Sequence, residues 1–127
     1  MDYLLDTHTV LWLAENASQL SDTAKQAIFD TDKKKYVSIA SAWEVAIKCS
    51  LGKLEIEGGT NEFFRILDEN GFILLPVERE YVECVQSLPF IHRDPFDRMI
   101  IASALSERLC LVTADESIHA YNVPYIW

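Results

Sequence analysis

Cysteine is scarce in this chain, and the three present, Cys49, Cys84 and Cys110, are scattered without paired spacing. An odd, dispersed set excludes a disulfide framework. Each cysteine has apolar neighbours, so buried, reduced thiols are expected. Zinc-type Cys/His spacing is also missing. Glycine and proline number only four each, and no linker, internal repeat or low-complexity tract interrupts residues 1–127, which are expected to form a single domain. The adjacent Gly58 and Gly59 read as a turn, because no strand–glycine–helix phosphate fingerprint surrounds them. No apolar run approaches the length of a membrane span. The opening Met-Asp-Tyr-Leu-Leu-Asp lacks the basic start and long apolar core of a leader. A cytoplasmic protein with no membrane association is expected. Positive charge is short as well, with 11 basic against 20 acidic residues and a net charge of −9. That balance opposes the basic footprint of most nucleic-acid binders. Clustered carboxylates that hold divalent cations would reverse the local sign and weaken the objection.

The chain does contain short apolar runs alternating with helical patterns. Tyr3-Leu4-Leu5 reads as a buried strand, followed by a helix from His8 to Glu15. Ser21 caps a second helix through Asp30, and Lys35-Tyr36-Val37 forms the next strand. From Ile39, Trp43, Ile47 and Leu51 recur every four residues and mark a buried stripe, with Gly52 as the stop. Thr60 is expected to cap a helix from Asn61 to Asn70. A strand follows at Phe72–Leu75, then a helix at Glu78–Ser87. Asp94-Pro95 begins a helix to about Arg108. Cys110–Thr113 is a buried strand, and Tyr125–Trp127 a last one. Alternation of this kind predicts an α/β fold around a mainly parallel sheet.

Two acids, Asp6 and Asp115, fall beyond the carboxyl ends of strands, where chemistry occurs in such sheets, and two more, Glu44 and Asp97, lie on helices. Asp6 follows the first strand; taken alone it reads more readily as a helix N-cap, a role compatible with a site role. Glu44 lies at the edge of the Trp43–Ile47–Leu51 stripe, with an exposed Glu44–Lys48 pair as the ordinary alternative. Asp97 shares an azimuth with Ile100, Ile101 and Ala104, an apolar face on which a carboxylate is costly unless paired or bound to a cation. Asp115 follows Val112-Thr113-Ala114 and could equally cap a short helix. Four convergent carboxylates repel unless positive charge sits among them. No basic cluster in the sequence is placed to neutralise them all. Mg²⁺ or Mn²⁺ suits such oxygen ligands. His8, His92 and His119 could in principle make a metal-free nuclease, but nothing in the sequence places them together. The serines lack a nucleophile-elbow context. Trp12, Trp43 and Phe96 sit at helical spacing and are expected in the core.

With these residues assembled, the chain resembles the PIN-domain family, and within it the VapC-type ribonuclease toxins of type II toxin–antitoxin pairs. The resemblance is carried by Leu4-Leu5-Asp6-Thr7-His8, by Ser41–Lys48 with Leu51–Leu54, by His92-Arg93-Asp94-Pro95-Phe96-Asp97-Arg98 and by Leu111–Asp115. These segments span nearly the whole chain in the family's order. The resemblance implies a three-layer α/β/α fold and a Mg²⁺- or Mn²⁺-dependent endoribonuclease. It further implies an RNA substrate, a cognate antitoxin and a homodimer. It assigns metal binding and catalysis to Asp6, Glu44, Asp97 and Asp115, with Thr7 and Thr113 in support. Arg98 is a candidate phosphate contact, a surface ion pair being its alternative. Glu116 is left out because it points differently from Asp115. The net charge suggests that a basic antitoxin segment would enter the acidic cleft. Two rivals stand beside this assignment. A haloacid-dehalogenase-like phosphotransferase also places an Asp after its first strand, but requires another two residues on, where this chain has His8. A catalytically silent PIN-fold binding module would be expected to have lost acids that are all present here.

Overall fold

The computed structural model describes residues 1–127. Five short strands form one sheet: β1 (Tyr3–Leu5), β2 (Lys35–Ser38), β3 (Ile73–Leu75), β4 (Cys110–Val112) and β5 (Tyr125–Ile126). They run in the order β3-β2-β1-β4-β5, and every neighbouring pair is parallel. Seven helices surround them: α1 (Thr7–Glu15), α2 (Asp22–Phe29), α3 (Ile39–Ser50), α4 (Gly59–Glu69), α5 (Arg79–Ser87), α6 (Pro95–Glu107) and α7 (Glu116–His119).

Strand alternation separates two cores. Leu5, Val37 and Val112 lie side by side in register and pack with Val10, Ala24, Ile28, Val45, Phe63 and Leu67, from α1 to α4. Leu4 and Leu111 face the other way, onto Ile100, Ile101 and Ala104 of α6 and Ile118 of α7. Leu4, Leu5, Leu111 and Val112 are all fully buried, as a parallel sheet covered on both faces requires. Each such side chain contributes about 1.5–3 kcal/mol of burial free energy. The result is a three-layer α/β/α sandwich.

Three local readings need correction. The stripe on α3 is rotated from the expected one: Trp43 and Leu51 are 63% and 62% exposed, while Ala40, Ser41, Ala42, Glu44 and Val45 are buried. This helix packs against α1, α4 and α6 at once, and small residues permit that close approach better than large ones. Helix α4 begins at Gly59, not after Thr60, with Gly58 as its cap in the left-handed region at φ 86°. Among the cysteines only Cys110 is buried; Cys49 and Cys84 are half-buried.

The chain moves outward from β1 through β2 to β3, then jumps back across β1 to lay down β4 and β5. The reversal leaves a crevice at the carboxyl ends of β1 and β4, the usual ligand position in a sheet of this type.

Candidate active site

Asp6 immediately follows β1 and Thr113 immediately follows β4, so the crevice brings them together. Asp6 is 4% exposed. Its Oδ1 caps α1, accepting from the Thr9 N–H at 2.8 Å and from the Thr9 hydroxyl at 2.6 Å. Its Oδ2 accepts a short hydrogen bond from the fully buried Thr113 hydroxyl. The cap and the site role are therefore compatible. Burial raises the Asp6 pKa despite these donors, because desolvation outweighs them. Thr113 Oγ1 also accepts from the Asp115 N–H at 3.1 Å, linking the two acidic segments.

Glu44 is 2% exposed, so its ion pair with Lys48 is only half of the ordinary surface kind. Lys48 Nζ lies 2.6 Å from Glu44 Oε2, with the lysine side chain 37% exposed and the glutamate 3%. Thr7 donates at 2.8 Å to Glu44 Oε1 or to Ser41 Oγ. Thr7 therefore fixes the carboxylate of Glu44 across the α1–α3 interface. The hydrogen bond to Glu44 raises the Lys48 pKa.

Asp97 sits in the first turn of α6, whose cap, Asp94, accepts from the Phe96 and Asp97 N–H groups. Its pKa is pushed up to about 7, first by burial and then by the charges of Asp94 and Glu44, with a further contribution from Asp6 and opposition from His92. Asp97 is thus within electrostatic reach of two of the other sequence-selected acids. Asp115 caps α7 through Ser117 N–H at 2.8 Å. Burial alone would raise its pKa, but hydrogen bonds from His92 and from the Ser117 and Ile118 backbone hold it below the usual range.

His92 joins the last two acids. Its Nε2 lies 2.9 Å from Asp115 Oδ2 and 3.1 Å from Asp97 Oδ2. The three side chains offer ligand atoms all within 4.8 Å of one another. Sequence reasoning left His92 unplaced, since it lies in an irregular loop with no periodicity to orient it. Its position two residues before the helix cap Asp94 was the available signal. His8 lies tilted against Trp12, with ring centres 5.8 Å apart, and His119 stacks on Tyr125 at 3.8 Å.

Arg98, a candidate phosphate contact, is turned inward, and it makes no surface ion pair. It is 7% exposed and donates to backbone carbonyls, chiefly Pro89 at 3.0 Å and Val85 at 3.1 Å, with its guanidinium 4.6 Å from the Phe90 ring centre. It fastens the loop between α5 and α6, a use that its place on the inner side of α6 permits. Trp43 is likewise no core residue: it meets Phe96 edge-on at 5.3 Å on the surface.

Chemically, the arrangement is a set of hard oxygen donors with more negative charge than Lys48 and the surrounding hydroxyls offset. Asp97 feels that excess on top of its burial, which is the larger cause of its raised pKa. Such a donor set fits Mg²⁺ or Mn²⁺ in preference to softer ions.

The PIN-domain family model matches residues 3–123. Among solved structures, a chain of VapBC2 from Rickettsia felis, bound to a DNA fragment from their promoter, superposes with a TM-score of 0.75 at 12% identity, covering 99% of this chain and 98% of that one. DNA-bound VapBC from Salmonella typhimurium gives 0.70 at 15% identity, with 99% and 97% covered. VapC20 of Mycobacterium tuberculosis, a sarcin-ricin loop cleaving toxin, gives 0.63 at 14% identity, with 94% and 96% covered. No curated protein sequence gives a significant match.

Proposed function

The chain belongs to the PIN-domain family, and on that premise we propose that it is a Mg²⁺- or Mn²⁺-dependent endoribonuclease acting as the toxin of a toxin–antitoxin pair. The observation that carries this reading is the gathering of acidic side chains at the β1/β4 crevice, where burial first, and then the charges of Asp94 and Glu44, push the Asp97 pKa up to about 7. Asp6, Glu44, Asp97 and Asp115 would hold the cation. When bound, a divalent ion supplies Lewis-acid charge to a phosphoryl oxygen and an activated water at neutral pH. The chain's own residues prepare the centre: Thr113 and Thr9 orient Asp6, and Thr7 and Lys48 orient Glu44.

Substrate contact is supported by a cavity of about 240 Å³ lined by Asp6, His8, Trp12, Ala114 and Asp115. Trp12 also packs on Trp127, with ring centres 5.7 Å apart. Aromatic surface beside a phosphate-cleaving centre suits stacking of an unpaired RNA base, worth about 1–3 kcal/mol. The structural neighbours that are toxin–antitoxin complexes support a cognate antitoxin. A basic segment from it would meet the acidic crevice, an arginine fork matching carboxylates better than a lysine. A homodimer is supported by an apolar groove of about 330 Å³ lined by Ala40, Trp43, Val77, Val85, Phe96 and Met99 on one side of the molecule. Exposed apolar patches of this kind mark partner surfaces.

Expression of the chain alone tests the biological role. Growth arrest by the native chain, its loss in Asp6→Asn, and rescue by the antitoxin are expected. Arrest that persists in Asp6→Asn would remove the nuclease basis of toxicity.

A further inference from the structure

The loop from Leu88 to Asp94 is built with more care than a connection needs. Tyr121 Oη accepts from the Ile91 and His92 N–H groups at 3.2 and 2.8 Å and donates to the Pro89 carbonyl at 2.7 Å. Arg98, beneath it, donates to the same carbonyl and to that of Val85. The backbone of His92 is therefore held from two sides by buried groups. Its ring is held as well, because Nδ1 accepts from the Asp94 N–H at 3.1 Å. An acceptor nitrogen carries no proton, so the imidazole proton resides on Nε2, the atom that faces Asp97 and Asp115.

We propose, on the reading that the acidic centre holds a divalent ion, that His92 is a positioning residue of that centre: its Nε2–H holds the Asp115 carboxylate beside Asp97. The hydrogen bond goes to Asp115 Oδ2 at 2.9 Å, and Asp97 Oδ2 stands 3.1 Å from the same nitrogen. Without this donor the two carboxylates would meet with no hydrogen between them, and mutual repulsion would turn them apart. With it, both are held at ligand spacing before any cation arrives.

The same geometry excludes the obvious alternative, His92 as a direct ligand. Coordination through Nε2 requires its lone pair, which moves the ring proton to Nδ1 and sets two donors, Nδ1–H and the Asp94 N–H, against each other. Relieving that clash means rotating the ring about its side-chain torsions, which withdraws Nε2 from Asp97 and Asp115. His92 thus acts on the cation through the carboxylates, as outer hydrogen-bond partners of metal ligands do.

The test uses the full chain and the variants His92→Ala and His92→Gln, since a glutamine amide can replace the Nε2–H donor. In the metal-free native protein, the ¹⁵N spectrum should show a protonated Nε2 and an unprotonated Nδ1. The Nε2 proton should persist at saturating Mg²⁺. Calorimetric titration with Mg²⁺ should show affinity about tenfold weaker in His92→Ala, with most of the loss restored in His92→Gln. Three results each overturn the proposal: an Nδ1–H tautomer in the metal-free protein, loss of the Nε2 proton on Mg²⁺ addition, or native affinity in His92→Ala. Failure of the native chain to bind Mg²⁺ or Mn²⁺ overturns the metal-centre reading and with it the proposed role of His92; an Nε2–H tautomer with native metal binding but unchanged affinity in His92→Ala overturns the role alone.

Discussion

Replacing Asp97 with asparagine should stabilise the metal-free protein at alkaline pH and do nothing for it in acid. The folded protein keeps the Asp97 proton up to about pH 7, whereas a free carboxyl of this kind ordinarily titrates at 3.8. Between these values the folded state binds more protons than the unfolded one. Its stability therefore falls as pH rises through that window, and the full penalty applies above pH 7. The gap corresponds to a ceiling of about 4 kcal/mol. The side chain is 19% exposed, and its acidic neighbours share the proton, so about 2 kcal/mol is the working figure. Asparagine has the same shape and no charge, so it removes the repulsion. It also forfeits the attraction of a carboxylate to the start of α6, about 0.3–1 kcal/mol.

The net expectation at pH 8 in chelator is a gain of about 1–2 kcal/mol, or about 5 °C in melting temperature for a domain of this size. At pH 5 only about a third of the penalty has accrued, so the advantage should shrink to about that fraction, and it should vanish below the ordinary carboxyl value of 3.8. Added Mg²⁺ should reverse the order, raising the native protein well above the variant by mass action. Thermal melts at both pH values, with chelator and with metal, supply all four comparisons. An asparagine variant whose advantage is the same at pH 5 and pH 8 would refute charge crowding as the cause.

Other substitutions probe the supports of the site. Thr113→Val leaves a buried Asp6 oxygen without its donor and should cost about 1–3 kcal/mol in urea unfolding, with weaker Mg²⁺ binding. Arg98→Met abandons the carbonyls of Pro89 and Val85 and should cost about 3 kcal/mol, with the α5–α6 loop becoming the first cleaved by protease. Arg108 ends α6 in the left-handed region at φ 55°, so Arg108→Gly should stabilise by up to about 1 kcal/mol in the same denaturation assay.

The strand–helix order was legible because buried parallel strands and capped helices leave local marks: Leu4-Leu5, Cys110–Val112, Ser21, Asp94-Pro95. Asp6 and Asp115 were legible for a related reason, since a strand end fixes the crevice where the sheet reverses. The inner face of α3 was not. A period of 3.6 residues identifies a stripe but cannot say which stripe faces the neighbours, and here the small residues with Glu44 turn inward while Trp43 turns out. Arg98 and His92 escaped for another reason. Their partners, the carbonyls before α6 and the carboxylates of Asp97 and Asp115, are assembled by a loop whose path depends on Tyr121, far along the chain. No local pattern encodes such a meeting.

The most direct test of the central claim is cleavage of a structured RNA by the purified chain, followed in Mn²⁺ or Mg²⁺, in chelator, and after metal is restored. Cleavage should require the metal, stop in chelator, return on addition, and be lost in folded Asp6→Asn, Glu44→Gln, Asp97→Asn and Asp115→Asn proteins. Undiminished cleavage in chelator, or in all four variants, would contradict a metal-dependent acidic centre.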